Sequence, residues 1–78
     1  MKKYVIINAS EINSVDFNKV LVTSSETARR NNDNTKAIIK YEGNQPSFLD
    51  GKQEYTHSEI RSIVTDVNGE WFTPLQEE

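Results

Sequence analysis

The clearest pattern of apolar and polar positions along the chain lies between Thr56 and Gly69. Apolar residues recur there at spacings of three and four, which places them on one face of a helix. These residues are Ile60, Ile63, Val64 and Val67. The Asn68-Gly69 pair tolerates the left-handed conformation that ends many helices. The pattern therefore predicts a helix over about 57–67.

The start of this helix carries a second, independent signal. Thr56 and Glu59 have the spacing of a capping box, in which each side chain accepts a hydrogen bond from the other residue's backbone N–H. Tyr55 precedes the cap, where an apolar side chain typically packs on the residue at the position of Ile60. We therefore interpret this stretch, including the adjacent His57, as architecture rather than as a reactive site.

Strand patterns occupy the first half of the chain. Residues 4–9 contain three consecutive β-branched residues after a tyrosine, which is typical of a strand that is central or covered on both faces. Residues 31–34 are all Asn or Asp, the residues that favour tight turns. We expect this turn to join a strand over 25–30 to a strand over 36–42, as a hairpin whose first arm lies at an edge.

Residues 14–22 are compatible with two structures. Phe17, Val20 and Leu21 have helical spacing, whereas residues 20–23 also form a good strand sequence. We expect one helical turn at 15–19 that leads into a strand. The whole pattern predicts an α+β fold, with a small antiparallel sheet of three or four strands and the C-terminal helix across one face. One domain over 1–75 would be followed by a frayed acidic tail at 76–78.

Composition limits what such a domain can be. Its 78 residues form a single domain, and only 35% of them are apolar, so close packing or homo-oligomerisation must stabilise it. The chain has no cysteine and one histidine, from which we expect no disulfide, metal or cofactor. No apolar run approaches a signal-peptide core or a membrane span. We therefore expect a cytoplasmic protein without membrane contact.

Charge is unevenly distributed along the chain. Residues 1–42 carry seven Lys/Arg and five Asp/Glu, whereas residues 43–78 carry two and seven. The overall charge of −3 argues against nonspecific nucleic-acid binding. The 25–41 hairpin is nevertheless an alternative nucleic-acid site because basic and aromatic side chains concentrate there. Its candidate residues are Arg29, Arg30, Lys36, Lys40 and Tyr41.

Candidate catalytic groups are few. His57 would need a nucleophile and an orienting acid, and Ser58 beside it does not face it on a helix. Asp50, Glu54 and Glu59 are close in sequence, but a chain this short rarely encloses a catalytic cleft. Residues 31–34 contain a single acid, too few for a calcium loop. These observations predict that the protein is not an enzyme.

Several short motifs together resemble a family of small proteins encoded by bacteriophages. The matching segments are Thr27-Ala28-Arg29, Lys40 to Gly43, Pro46-Ser47, Tyr55 to Ile60, and Trp71, within residues 15–72. The chain departs from the family pattern at 67–70, which is longer than expected. The resemblance implies a phage or prophage setting, where small acidic proteins often act by binding, and it implies no catalytic or binding residue.

The sequence thus favours a non-catalytic binding or structural module that acts through contact with a protein partner. Large apolar residues in loops or after the helix are the candidate contacts, because such side chains are displayed at interfaces when they are not packed in the core. They are Phe48, Leu49, Trp71 and Phe72. Nucleic-acid binding through the hairpin and a small enzyme using His57 are the alternatives.

Overall fold

The fold is built on a three-stranded antiparallel sheet with one α-helix. A computed structural model of the protein describes residues 2–26 and 28–64. The sheet has the strand order β1-β3-β2. Its strands are β1 (Lys2–Asn8), β2 (Arg29–Arg30) and β3 (Lys36–Glu42), and the helix α1 is His57–Val64. Two 3₁₀ helices, Ala9–Ser14 and Ser47–Leu49, lie in the connections. The α+β prediction is confirmed.

The pairing of β1 with β3 fixes which residues share a face of the sheet. Val5 lies opposite Ile39 and Ile6 opposite Ile38 in this register. Since successive side chains of a strand point to opposite faces, the two strands build two apolar surfaces at once. We name them after what covers them. The helix face carries Tyr4, Ile6, Ile38 and Lys40, and the loop face carries Val5, Ile7, Ala37, Ile39 and Tyr41.

The helix α1 covers part of the helix face. Ile60 and Val64 are buried against Tyr4 and Ile38, with Ile63 and Tyr55 packed around them. This cluster is the apolar stripe that the sequence predicts, and α1 begins one residue after Thr56 as expected. Val67 and the Asn68-Gly69 stop lie outside the described residues.

The loop face holds the larger part of the core. Its strand residues pack with buried side chains from the connecting segments, namely Ile12, Val15, Ala28 and Leu49. Half-buried side chains surround them, namely Phe17, Val20, Val22 and Phe48. The loops therefore form a full layer of the fold, and the sheet is enclosed between them and α1.

The strand β1 lies at an edge of the sheet, although both of its faces are covered. Tyr4 pairs with Tyr55 through two backbone hydrogen bonds, of 2.9 Å and 2.8 Å. This single bridge partly protects the edge and places Tyr55 just before α1. Of the two alternatives for this strand, coverage on both faces is the one observed.

The segment that was expected to be a helical turn followed by a strand forms neither. The backbone N–H of Asn18 donates to the Asp16 carboxylate at 3.0 Å, and Lys19 N–H donates to the Asp16 carbonyl at 3.0 Å, which closes a tight turn. Beyond it, Leu21 N–H donates to the carbonyl of Lys40 at 2.7 Å. The segment has no regular secondary structure where a helix or strand was predicted. Its apolar side chains are half-buried against the core, namely Phe17, Val20 and Val22.

The hairpin is confirmed in its turn and second arm and shortened in its first. Asn31 accepts hydrogen bonds from the N–H groups of Thr35 (2.9 Å) and Lys36 (3.0 Å), and Asn34 has a φ of 59°. Only Arg29 and Arg30 pair with β3. The first arm is short because the carbonyl of Lys40, to which a longer β2 would have to bond, already accepts a hydrogen bond from Leu21 N–H.

Replacing Thr56 by alanine tests the helix cap. Thr56 N–H donates to the Glu59 carboxylate at 2.9 Å, and Glu59 N–H donates to the Thr56 hydroxyl at 3.2 Å. Thr56→Ala removes the second bond and should lower the free energy of unfolding by about 1 kcal/mol in urea denaturation. Ser58→Ala removes an exposed hydroxyl two residues after Thr56, and it should leave stability unchanged or slightly raised. Equal losses in both variants would contradict the cap.

The pH dependence of stability tests the other half of the cap. Three interactions lower the pKa of Glu59. The largest is the hydrogen bond from Thr56 N–H, followed by the hydrogen bond with the Thr56 side chain and by the positive charge of Lys3. A carboxyl whose pKa is lowered by folding stabilises the protein above its unfolded pKa of about 4.3 and loses that effect as pH falls through the folded pKa. Wild type should therefore exceed Glu59→Gln in Tm at pH 7, and the difference should shrink as the pH falls below about 4.3. A constant difference would refute the charged cap.

Candidate functional site

An open groove lies on the helix face beside the part that α1 covers. We call it the Leu21 groove; its volume is about 260 Å³. It is lined by Tyr4, Leu21, Val22, Thr23, Arg29, Ile38 and Lys40. α1 lies over the β1 side of this face, and β2 is only two residues long. The groove is therefore the area of the sheet that neither element covers.

Leu21 forms one wall of the groove and is held there by the backbone. Its N–H donates to the Lys40 carbonyl at 2.7 Å, which fixes the 20–23 segment along β3. Its side chain is 47% exposed, which makes it the one large apolar side chain in the described part of the chain that is displayed to solvent. The floor is apolar as well, since Tyr4 and Ile38 are almost fully buried.

Two cations border this apolar surface. Lys40 lies opposite Tyr4 in the sheet register, and Arg29 lies opposite Ile38. Both are half-buried, and burial lowers the pKa of Arg29, whose guanidinium still stays charged at every physiological pH. No carboxylate is among the described residues that line the groove. Its surface is thus apolar at the base and positive at the rim.

A second concavity lies on the opposite side of the sheet. It has a volume of about 290 Å³ and is lined by Ile7, Glu11, Ser14, Val15, Phe48, Leu49, Asp50 and Lys52. The carboxylate of Glu11 and the ammonium of Lys52 are 2.9 Å apart. This ion pair links the 3₁₀ helix after β1 to the loop before α1. Two charged groups that line this cavity are therefore already paired with each other, which makes the cavity a weaker candidate than the Leu21 groove.

The structure separates the predicted protein-contact residues. Leu49 is 1% exposed and belongs to the core, because its backbone lies in a short 3₁₀ helix that turns the side chain under the loop. Its side chain is therefore not displayed. Phe48 is half-buried against the same core and lines the second concavity. Trp71 and Phe72 lie outside the described residues.

The predicted nucleic-acid residues are divided between the two faces of the sheet. Arg29, Lys36 and Lys40 share the helix face, whereas Arg30 and Tyr41 point to the loop face. Tyr41 is fully buried and donates its hydroxyl to the carboxylate of Glu54. Burial, together with that hydrogen bond and the charge of Glu54, raises the pKa of Tyr41. A side chain held in this way is not available to stack on a base.

The candidate catalytic groups are likewise engaged in structural contacts. The His57 ring lies 5.9 Å from that of Tyr4, centroid to centroid, at the start of α1. Glu59 belongs to the helix cap and Glu54 binds Tyr41. Within residues 2–26 and 28–64, no group of His, Asp and Glu side chains could hold a metal ion. Over the same ranges, no helix is long and apolar enough to cross a bilayer.

Leu21 is the site residue that the sequence pattern did not single out. Its helical spacing from Phe17 suggested a core position, and the run of residues 20–22 suggested a strand. The structure instead divides that run, with Val20 and Val22 packed on the core and Leu21 between them exposed. Because residues 20–22 are all apolar, no signal in the sequence distinguishes Leu21 from its two neighbours.

No protein-family model matches the chain, and comparisons with curated proteins and with solved structures find no match either. The fold and the groove define the class by themselves. The protein is a small α+β domain whose described surface carries an open groove, apolar at its base and basic at its rim.

Two leucine substitutions test the assignment of core and surface. Leu49→Ala should lower the free energy of unfolding by about 2–5 kcal/mol, because it leaves a cavity in a buried cluster. Leu21→Ala should change it by about 0.5 kcal/mol or less, as is usual at exposed positions. Urea denaturation of the two variants provides the comparison. Equal losses of stability would show that Leu21 belongs to the core and does not form a contact surface.

Proposed function

We propose that the protein is a non-catalytic binding module that acts through protein–protein contact, and that the Leu21 groove is its contact surface. The observation that carries the proposal is the exposed Leu21 side chain beside Lys40, above the apolar floor of Tyr4 and Ile38. On the motif resemblance alone, we place the module in a phage or prophage setting.

The chemistry of the groove specifies the kind of partner that fits it. An apolar side chain that enters the groove would bury the exposed part of Leu21. Full burial of a leucine is worth about 1.5–3 kcal/mol, and Leu21, which is 47% exposed, would gain about half of that. A carboxylate at the rim would meet Lys40 and Arg29, and complementary charge mainly increases the association rate and the specificity. The partner we propose is therefore a protein segment that combines acidic and large apolar residues.

The size of the groove indicates how much of the partner it accepts. Pockets for drug-sized ligands measure about 300–1,000 Å³, and the Leu21 groove is slightly smaller than that range. It accommodates one or two side chains of a short segment. Such a contact resembles the central anchor of an interface, where a few residues supply most of the binding energy.

Binding is favoured over catalysis because several described acidic groups already have structural partners and none lies in the groove. Glu11 pairs with Lys52, Glu54 with Tyr41, and Glu59 with Thr56. The groove itself presents a lysine and an arginine, with a tyrosine and a threonine, and no acid among its described residues. The described lining therefore supplies no carboxylate that could act as a general base.

Nucleic-acid binding is the second candidate, and one observation favours it. Arg29, Lys36 and Lys40 lie on the same face of the sheet, where they could contact successive phosphates. The burial of Tyr41 removes the aromatic platform that a single-strand site would use. The overall charge of −3 also opposes approach to a polyanion.

Selection from a displayed library of random twelve-residue peptides tests the proposal. The immobilised full-length protein should enrich peptides that contain both Asp or Glu and Leu, Phe or Trp. Their affinity, measured by fluorescence anisotropy, should fall at least about tenfold in Leu21→Asp and in Lys40→Glu, since each change removes one element of recognition. Lys19→Glu, the same charge change on an exposed residue outside the groove lining, should retain full affinity.

Two results would overturn this assignment. One is enrichment of peptides whose affinity is unchanged by Leu21→Asp, which would place the contact elsewhere on the molecule. The other is retention of a labelled 20-nucleotide DNA or RNA at about 50 mM salt, with loss in the double variant Arg29→Ala and Arg30→Ala. That outcome would replace the protein-contact function by the nucleic-acid alternative.

A further inference from the structure

We propose that residues 70–78 of the same chain are a tethered ligand for the Leu21 groove and compete there with the partner. The inference rests on the proposed function of the groove, and it adds a regulation of that site. It commits to one occupant, the segment that follows α1 in the sequence. Three observations carry it: the chemistry of this segment, the charge of the groove rim, and the position of Val64 beside the floor of the groove.

The composition of residues 70–78 matches the groove. The segment contains three carboxylates and three large apolar side chains, and it contains no lysine or arginine. The carboxylates are Glu70, Glu77 and Glu78, and the apolar side chains are Trp71, Phe72 and Leu75. This is the combination of acidic and apolar groups that the basic rim and apolar floor select. Large aromatic side chains are also the commonest anchors of protein interfaces.

The described part of α1 leads toward the groove. Val64, its last described residue, is buried in one cluster with Tyr4 and Ile38. The same two residues line the floor of the Leu21 groove. Residues 65–69 separate Val64 from the segment, and five residues span at most about 17 Å in any conformation. The segment therefore starts close to the floor of the groove.

Tethering makes even a weak contact effective. Short linkers give a local ligand concentration of the order of 1 mM. A segment with an intrinsic Kd of about 0.1 mM would then fill roughly nine-tenths of the grooves. The apparent affinity for a partner falls by the fraction of grooves that remain open, which here is about tenfold. A partner would need a correspondingly higher intrinsic affinity to displace the segment, so weakly binding competitors would be excluded from the groove.

Trp71 provides a direct test because it is the only tryptophan in the chain. In the full-length protein without any partner, its fluorescence should be blue-shifted and poorly quenched by acrylamide. Leu21→Asp and Lys40→Glu should each shift the emission to the red and raise the quenching constant about twofold or more. Far-UV circular dichroism should stay unchanged in both. Lys19→Glu is the matched control and should behave as wild type.

Charge reversal in the segment provides a second, independent readout. Glu77→Lys combined with Glu78→Lys should release the groove and raise the affinity for a library-selected peptide by about tenfold. Adding Lys40→Glu to this double variant should restore the blue-shifted emission of Trp71. The segment would then be positive and the rim negative, so the two would attract each other again with the signs reversed. A purely structural role of Lys40 would not produce this rescue.

The outcomes separate the two proposals. Selected peptides that bind the groove while Trp71 emission is unaffected by Leu21→Asp would overturn the tethered ligand and leave the contact surface intact. The predicted response of Trp71 together with no enriched peptide would support the docking and overturn the partner-binding function. A shift of emission that depends on protein concentration would overturn tethering, because a second copy would then supply the segment.

Discussion

The antiparallel pairing of β1 with β3 is the interaction on which the rest of the structure depends. Seven residue pairs run from Lys2 opposite Glu42 to Asn8 opposite Lys36. Both strands are apolar on both faces, so a shift of one residue in register would exchange the two faces and misplace every contact. Because only 35% of the chain is apolar, these strands concentrate much of what is available for a core. Every other described element packs on this pair.

The groove follows from the unequal way in which the two faces are covered. On the loop face, side chains from two connections, between β1 and β2 and between β3 and α1, close over the strands. On the helix face, α1 lies over β1, while β2 contributes only Arg29 to that face. A longer β2 would have extended the sheet, but the carbonyl of Lys40 is bonded to Leu21 instead. The same hydrogen bond thus shortens the sheet and positions the exposed wall of the groove.

Local signals in the sequence predicted the elements that local interactions form. The cap of Thr56 and Glu59 and the turn at Asn31 each depend on neighbours within a few residues, and both are confirmed. The prediction for residues 14–22 is wrong because distant partners decide their structure, and distant partners also bury Leu49, one of the candidate contacts. Leu21 bonds to a residue nineteen positions away, and Leu49 is buried in a cluster that contains residues of β1 and β3. Propensity carries no information about such contacts.

The charge asymmetry of the sequence gains a physical meaning from this geometry. The basic half of the chain forms the sheet, and two of its cations, Arg29 and Lys40, border the apolar floor of the groove. The acidic half includes α1, whose last described residue, Val64, is buried in one cluster with Tyr4 and Ile38 of that floor. Charges that are merely separated along a chain do not attract at the ionic strength of a cell, because screening limits them to about 8 Å. The proposed docking of residues 70–78 at the rim of the groove would convert this compositional bias into a specific electrostatic contact.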